Sequence, residues 1–244
     1  MTGWQKLKMN HLVYEAVYHA NKPYYSENDA DKQLLDGAII SKKIVDNERY
    51  IYLLKLLSGN TDPVVYDFFA KTVGCMKQFR FSSVKSVNKT FESIANSPNK
   101  NALDALEAVN LLDHTINAVE QFFNISNERQ LPEKMHLVTL VIVLFHDFGK
   151  NRDLVDYFNK GGHSFKNHAE ASAMIANKML DMFLASKKQA KKIFTGSVQK
   201  TIVETIREHH YKDGVAKNSI FRGILKESDG AAREVEISIL LERA

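Results

Sequence analysis

The most apolar stretch of the chain, Leu137 to Phe145, is broken only by Thr139 and stops abruptly on two polar groups, His146 and Asp147. A bilayer-spanning helix needs about 20 apolar residues, and this run has nine. It therefore reads as a core element rather than a membrane span. Its neighbours decide which kind. Helical spacing of apolar residues recurs in Leu7, Leu12, Val13, Ala16 and Val17, then in Leu34, Leu35, Ala38, Ile39 and Ile44, a pattern that Tyr50 to Leu57 continues. Strand signals are weak throughout, prolines number only four, and Leu, Ala, Lys and Glu are plentiful. The expected fold is all-α, a bundle with the apolar run as a buried helix.

The helices can be placed roughly. Gly59-Asn60 reads as a stop, and Asp62-Pro63 restarts a helix with proline near its first turn, where the missing N–H is harmless. Residues 79–101 are less regular, and Ser97-Pro98 reads as a loop. We place the domain boundary there, with residues 1–98 as a helical N-terminal extension and 99–244 as the main domain. Beyond it the expected helices are Ala102–Phe123, Pro132–His146, one N-capped by Asn167 and running to Ala185 with Glu170 at the capping-box position, 197–211 and 218–243.

Composition narrows the setting. Cys75 is the single cysteine, so no intrachain disulfide can form and a reducing, cytoplasmic location is expected. The N-terminus has no apolar signal core. A net charge of +4 permits a phosphate-bearing ligand without demanding nucleic acid. Two basic stretches, Lys187–Lys192 and the scattered Lys77, Arg80, Lys85 and Lys89, read first as solvated faces. Phe79, Phe81 and Phe91, interleaved with the second, read first as core and second as base-stacking rings.

Chemistry concentrates in the second half of the chain. Two adjacent polar groups at the end of a buried helix are costly to desolvate without a partner, and a metal ion is one such partner. His209-His210 forms a doublet near the end of another helix, and His114, His168 and Asp229 lie on three more. Imidazoles and carboxylates suit Mn, Fe, Co, Ni or Zn. Adjacent helical positions point about 100° apart, so one member of the doublet could ligate while the other binds substrate. Taken singly, His114 reads as a core histidine, His168 as a helix-start residue and Asp229 as a surface acid.

In chain order the set is His114, His146-Asp147, His168, His209-His210, Asp229. This order resembles the two-metal version of the HD superfamily of metal-dependent phosphohydrolases. The string HDFGK resembles that family's HD-x-G-K, and ESDG resembles its closing Asp near the start of the last core helix. The resemblance covers the chain from around residue 100 onward and implies a helical HD-domain bundle. It implies that His114, His146, Asp147 and Asp229 bind one divalent transition metal. Asp147 then bridges to a second metal held by His168, His209 and His210, with Lys150 facing phosphate and stabilising transition-state charge. The implied activity is that of a phosphodiesterase acting on a nucleotide, a cyclic dinucleotide or single-stranded nucleic acid through a metal-bridging hydroxide.

Several HD groups share this order. The cyclic-dinucleotide phosphodiesterases carry a GYP string after the doublet, where this chain reads YKDGVAKNS. The HD nucleases of CRISPR effectors and the HD relaxase-like proteins are similar in ligand order, and the latter also resemble the ESDGAAREVE stretch. Two other classes stay open: HD-fold di-iron oxygenases, and a binding module that has lost activity. Two further residues are candidate substrate contacts. His163 lies in a Gly-Gly-His loop and reads as a substrate contact, a proton donor or a solvated loop residue. Arg233 shares a helix face with Asp229 and can contact phosphate or pair with Glu236 or Asp229. A homodimer is compatible with the sequence and nothing in it requires one.

Overall fold

The computed structural model describes residues 37–59, 62–87, 106–211 and 219–242, with the side chains of 37–46, 219 and 241–242 excepted. The helix expected near residues 5–19, the loop at Ser97-Pro98, and Lys89 and Phe91 lie outside the described residues. Among the described residues there are eight α-helices and no strand. They are α1 (Gly37–Leu57), α2 (Pro63–Gln78), α3 (Leu111–Arg129), α4 (Glu133–Phe145), α5 (Arg152–Phe158), α6 (His168–Ser186), α7 (Gly196–Glu208) and α8 (Ser219–Glu242). The fold is all-α, as expected. None of these helices is long and apolar enough to cross a membrane.

The chain forms two compact units, one ending at Gln78 and the other beginning at Phe79. In the first, α1 and α2 pack together. From Gly37 onward the apolar pattern of residues 31–46 continues through Tyr50 to Leu57 as one helix, as expected, because the polar residues Asp46 to Arg49 include no helix breaker. Asp62 caps α2, its Oδ1 accepting from the Val64 N–H at 2.7 Å.

In the second unit α4 is the central helix. Every residue from Val138 to Phe145 is buried, and α4 contacts α3, α6, α7 and α8. A helix that is apolar on all sides needs partners on all sides. Its neighbours bury large side chains against the same core, including Phe122, Ile175, Ile202 and Leu225, each worth about 1.5–3 kcal/mol relative to exposure.

The helix expected over Ala102–Phe123 differs in both bounds. It begins at Leu111 and continues to Arg129. Asn110 is extended and caps α3, its Oδ1 accepting from the Asp113 N–H at 2.8 Å, and its backbone pairs with Lys85 in an isolated antiparallel bridge. A short polar side chain that can bond its own backbone favours a cap over a helix interior.

That bridge belongs to a strap, residues 79–87, that opens the second unit and packs against the rest of it. Phe81 is fully buried edge-on to Phe148, with ring centroids 4.8 Å apart, so it is a core residue and not a stacking platform. The Asn151 side chain caps α5 and donates to the Phe79 carbonyl at 2.7 Å. Val87, Leu106 and Val109 form a small cluster with Ile237 and Leu240 of α8.

Candidate metal centre

The two polar groups that end α4 are aimed by the end of the helix itself. His146 keeps helical backbone angles at the C-cap, and Asp147 turns out of the helix at φ −108°, ψ 5°. A short 3-10 turn, Phe148–Lys150, follows. Gly149 makes this turn possible. A Cβ there would lie 2.1 Å from the His168 carbonyl oxygen and 2.7 Å from the Ser172 nitrogen, closer than any side chain tolerates. The Gly149 N–H donates to Ser172 Oγ at 2.7 Å. The glycine of HDFGK thus lets the first turn of α6 press against the turn that carries Asp147.

That contact delivers His168, the first residue of α6, to Asp147. Its start is capped by Asn167, whose Oδ1 accepts from the Glu170 N–H at 3.0 Å. His209 is the C-cap of α7 and donates from Nδ1 to the Ile206 carbonyl at 2.6 Å. Because the doublet sits where α7 ends, both rings turn the same way, with centroids 4.0 Å apart. The divergence expected of adjacent helical positions does not arise.

Asp147 is the hub of what results. Its Oδ2 lies 3.4 Å from His114 Nε2 and 3.5 Å from His146 Nε2, while its Oδ1 lies 3.2 Å from His168 Nε2. Asp229 Oδ1 approaches the first pair, at 3.1 Å from His114 Nε2 and 3.8 Å from His146 Nε2. His210 Nε2 lies 2.8 Å from His168 Nε2. Two groups of donor atoms emerge, each mutually within 4.8 Å: His114, His146 and Asp147, and His168, His209 and His210. Asp229 joins the first. It sits well inside α8 rather than near its start.

The tautomers favour ligation. Carbonyl oxygens can only accept, so the Nδ1 atoms of His146 and His209 must donate, to Val143 and Ile206, leaving each Nε2 with a lone pair. The Nε2 atoms of His114, His146 and His209, and Oδ1 of Asp229, are buried and have no hydrogen-bond partner among the described residues. Each unmatched buried polar atom costs about 1–3 kcal/mol, against a net stability of about 5–15 kcal/mol for a domain.

Charge points the same way. Burial opposes ionisation of Asp147, yet Lys150, His146 and the imidazoles of His114 and His168 hold its carboxyl well below the ordinary range. Burial is outweighed likewise at Asp229, by His114 and His146, and at Glu236, by His114, Arg233 and Asn117. Burial lowers His146 and His209, keeping both neutral. Desolvation and the adjacent His168 bring His210 down to about 4. At His114, burial and Arg233 oppose protonation, but the carboxylates of Asp147, Asp229 and Glu236 prevail and push it up to about 10. A proton on His114 is one answer to these carboxylates. Divalent cations, one at each group, are a fuller one, because they also meet the Nε2 atoms of His146 and His209. The residues present fit metal ions.

The other expected residues fall differently. Lys150 Nζ lies 2.9 Å from Asp147 Oδ2 and donates to the Ser86 carbonyl at 2.7 Å, its side chain only 7% exposed. Arg233 lies 3.9 Å from Asp147 and 3.8 Å from Asp229, and donates to Glu236 at 3.0 Å and to Ser86 Oγ at 2.9 Å. His163 is exposed, its backbone clamped by the Asn159 side chain, and Gly162 beside it takes a left-handed φ of 64°. His163 is not brought into either donor group.

Three residues were not singled out for the centre from sequence. Glu236, buried, accepts from His114 Nδ1 at 2.9 Å and from Asn117 Nδ2 at 3.1 Å. Its place seven residues after Asp229, on one face of α8 with Arg233, is a signal that could have found it. Ser86 acts partly through its backbone carbonyl, and Ser172 holds Gly149; neither carries a sequence mark.

Residues 111–239, more than half of the chain, match the family model described as HD domain. Neither a curated protein nor a solved structure matches the chain.

Proposed function

The chain belongs to the HD domain family, a family of metal-dependent phosphohydrolases, and we propose that it is a phosphodiesterase acting on a nucleotide, a cyclic dinucleotide or single-stranded nucleic acid. The observation that carries this reading is the convergence of imidazole Nε2 atoms on both oxygens of one buried carboxylate, two of them, those of His114 and His146, buried and without a hydrogen-bond partner among the described residues. His114, His146, Asp147 and Asp229 would hold one divalent transition metal. His168, His209, His210 and the other oxygen of Asp147 would hold a second. Bound there, such ions polarise phosphoryl oxygens and lower the pKa of a water to near neutrality.

The chain's own residues do the rest. Asp147, kept ionised by its neighbours, presents one oxygen to each donor group. Lys150 and Arg233 place two fixed cations beside that carboxylate, where they offset charge developing on a phosphoryl group held at the centre. Lys150 donates to the Ser86 carbonyl and lies against Asp147, so its effect in the arrangement seen is exerted across Asp147. The centre opens to solvent on the side of His210, which is exposed, and Asp229, whose side chain is 34% exposed. A phosphodiester would enter there.

The test is hydrolysis of bis(p-nitrophenyl) phosphate by the full chain with Mn, Fe(II), Co, Ni or Zn, beside the Asp147→Ala variant. Metal-dependent hydrolysis that the variant lacks is the expected result. No hydrolysis with any of these metals would overturn the phosphodiesterase reading and turn attention to the oxygen uptake of the iron form.

A further inference from the structure

The two donor groups are not equivalent. The His114 group contains two carboxylates, Asp147 and Asp229, with two imidazoles, and lies at the C-terminal end of α4, where the helix dipole favours a cation. The His168 group has three imidazoles and shares only the far oxygen of Asp147. Its His168 is the first residue of α6, at the positive end of that helix dipole, which offsets the favourable C-terminal end of α7.

The surroundings differ as much as the donors. His114 and His146 have side chains 0% and 1% exposed. His146 is fixed by Val143, and His114 by Glu236. Glu236 is itself held by Asn117 and by Arg233, which is anchored on Ser86 of the strap. A buried carboxylate on the remote nitrogen of a ligating imidazole fixes the ring's orientation and raises its basicity. His210, in the other group, is exposed.

We infer that the two groups bind metal with unequal affinity, the His114 group more tightly, and that Glu236 is the positioning residue that sets the difference. This rests on the metal-centre reading and on nothing about the reaction catalysed. Asp147 serves both groups, so removing it cannot separate them; Glu236 touches only one.

The experiment is a cobalt(II) titration of the metal-free full chain, followed by visible absorption and calorimetry without substrate. The wild type should bind in two resolved steps. Glu236→Gln, which keeps shape and an acceptor oxygen but removes the charge, should weaken the tight step roughly 10–100-fold and leave the weak step in place. Asn117→Ala, which removes only a support of Glu236, should weaken the same step roughly 2–10-fold, the worth of one hydrogen bond. His210→Ala should abolish the weak step alone. A single wild-type step, or equal weakening of both steps by Glu236→Gln, overturns the inference. Absence of cobalt binding overturns the metal-centre reading as well. Binding in two such steps without phosphodiester hydrolysis would leave the inference standing and count against the proposed activity alone.

Discussion

The His114–His146–Asp229 side of the centre and the His168–His210 side differ in how the fold holds them. The first is built on α3, the end of α4 and the middle of α8, with its two imidazoles sealed from solvent and a second layer of Glu236, Arg233 and Ser86 behind it. The second is built on the opening residue of α6 and the turn after α7, and it depends on Gly149 for its approach to Asp147. The first side is backed by a layer of side chains, whereas the second rests on the Ile206 carbonyl behind His209 and on the close backbone contact at Gly149. The two halves share one aspartate, and each has one donor open to solvent, Asp229 on the first and His210 on the second.

The sharpest way to probe that shared aspartate without removing it is Lys150→Ala. The variant should keep its metal, since no donor atom is lost, and should turn over roughly 10²–10³-fold more slowly, as when one preorganised donor is removed. Steady-state kinetics beside metal analysis checks this, and an unchanged rate removes Lys150 from the site. Gly149→Ala attacks the second half. Its Cβ would meet the His168 carbonyl, and relief of such overpacking costs about 1–3 kcal/mol. Thermal melting should show that loss, and metal binding to the His168 side should weaken more than to the other. Equal weakening of both sides would break the comparison.

A gentler probe is pH, applied to the metal-free chain. His146, His209 and His210 are held below the ordinary histidine value, His210 at about 4. Between about 6.5 and that value the unfolded chain binds more protons, so stability should fall on acidification across this window. Asp147, Asp229 and Glu236, with lowered values, add to the loss as pH drops through the carboxylate range and below. His114, raised to about 10, works the other way: its contribution is complete below about 6.5 and is lost as pH rises through about 10. The melting temperature should therefore decline on both sides of neutrality. A melting temperature still rising as pH falls from 6 to 4 would contradict these assignments. The smallest effect belongs to Ser86→Ala, which removes one hydrogen bond to Arg233 and should cost about 0.5–1.5 kcal/mol.

Much of the site is legible in the sequence because metal donors are side chains of few types, and because apolar periodicity places them on helices. His114, His146, Asp147, His168, His209, His210 and Asp229 come together as their order suggests. The second layer is harder to read. Glu236 resembles any acid on an amphipathic helix until the ring of His114 is set beside it. Ser86 contributes a carbonyl, which every residue possesses. The start of α3 is hidden because Asn110 interrupts the pattern through cap geometry rather than through a proline or glycine. The reason for the glycine in HDFGK is steric and appears only once α6 is in place.

The most direct test of the account is the metal content of the full chain and of Asp147→Ala, measured by elemental analysis after equilibration with the same metal. The account predicts two ions per wild-type chain and less than half that amount in the variant, because both groups lose an oxygen ligand at once. A variant that retains the full wild-type content would contradict the bridging role of Asp147, and a wild type that binds none would contradict the centre itself.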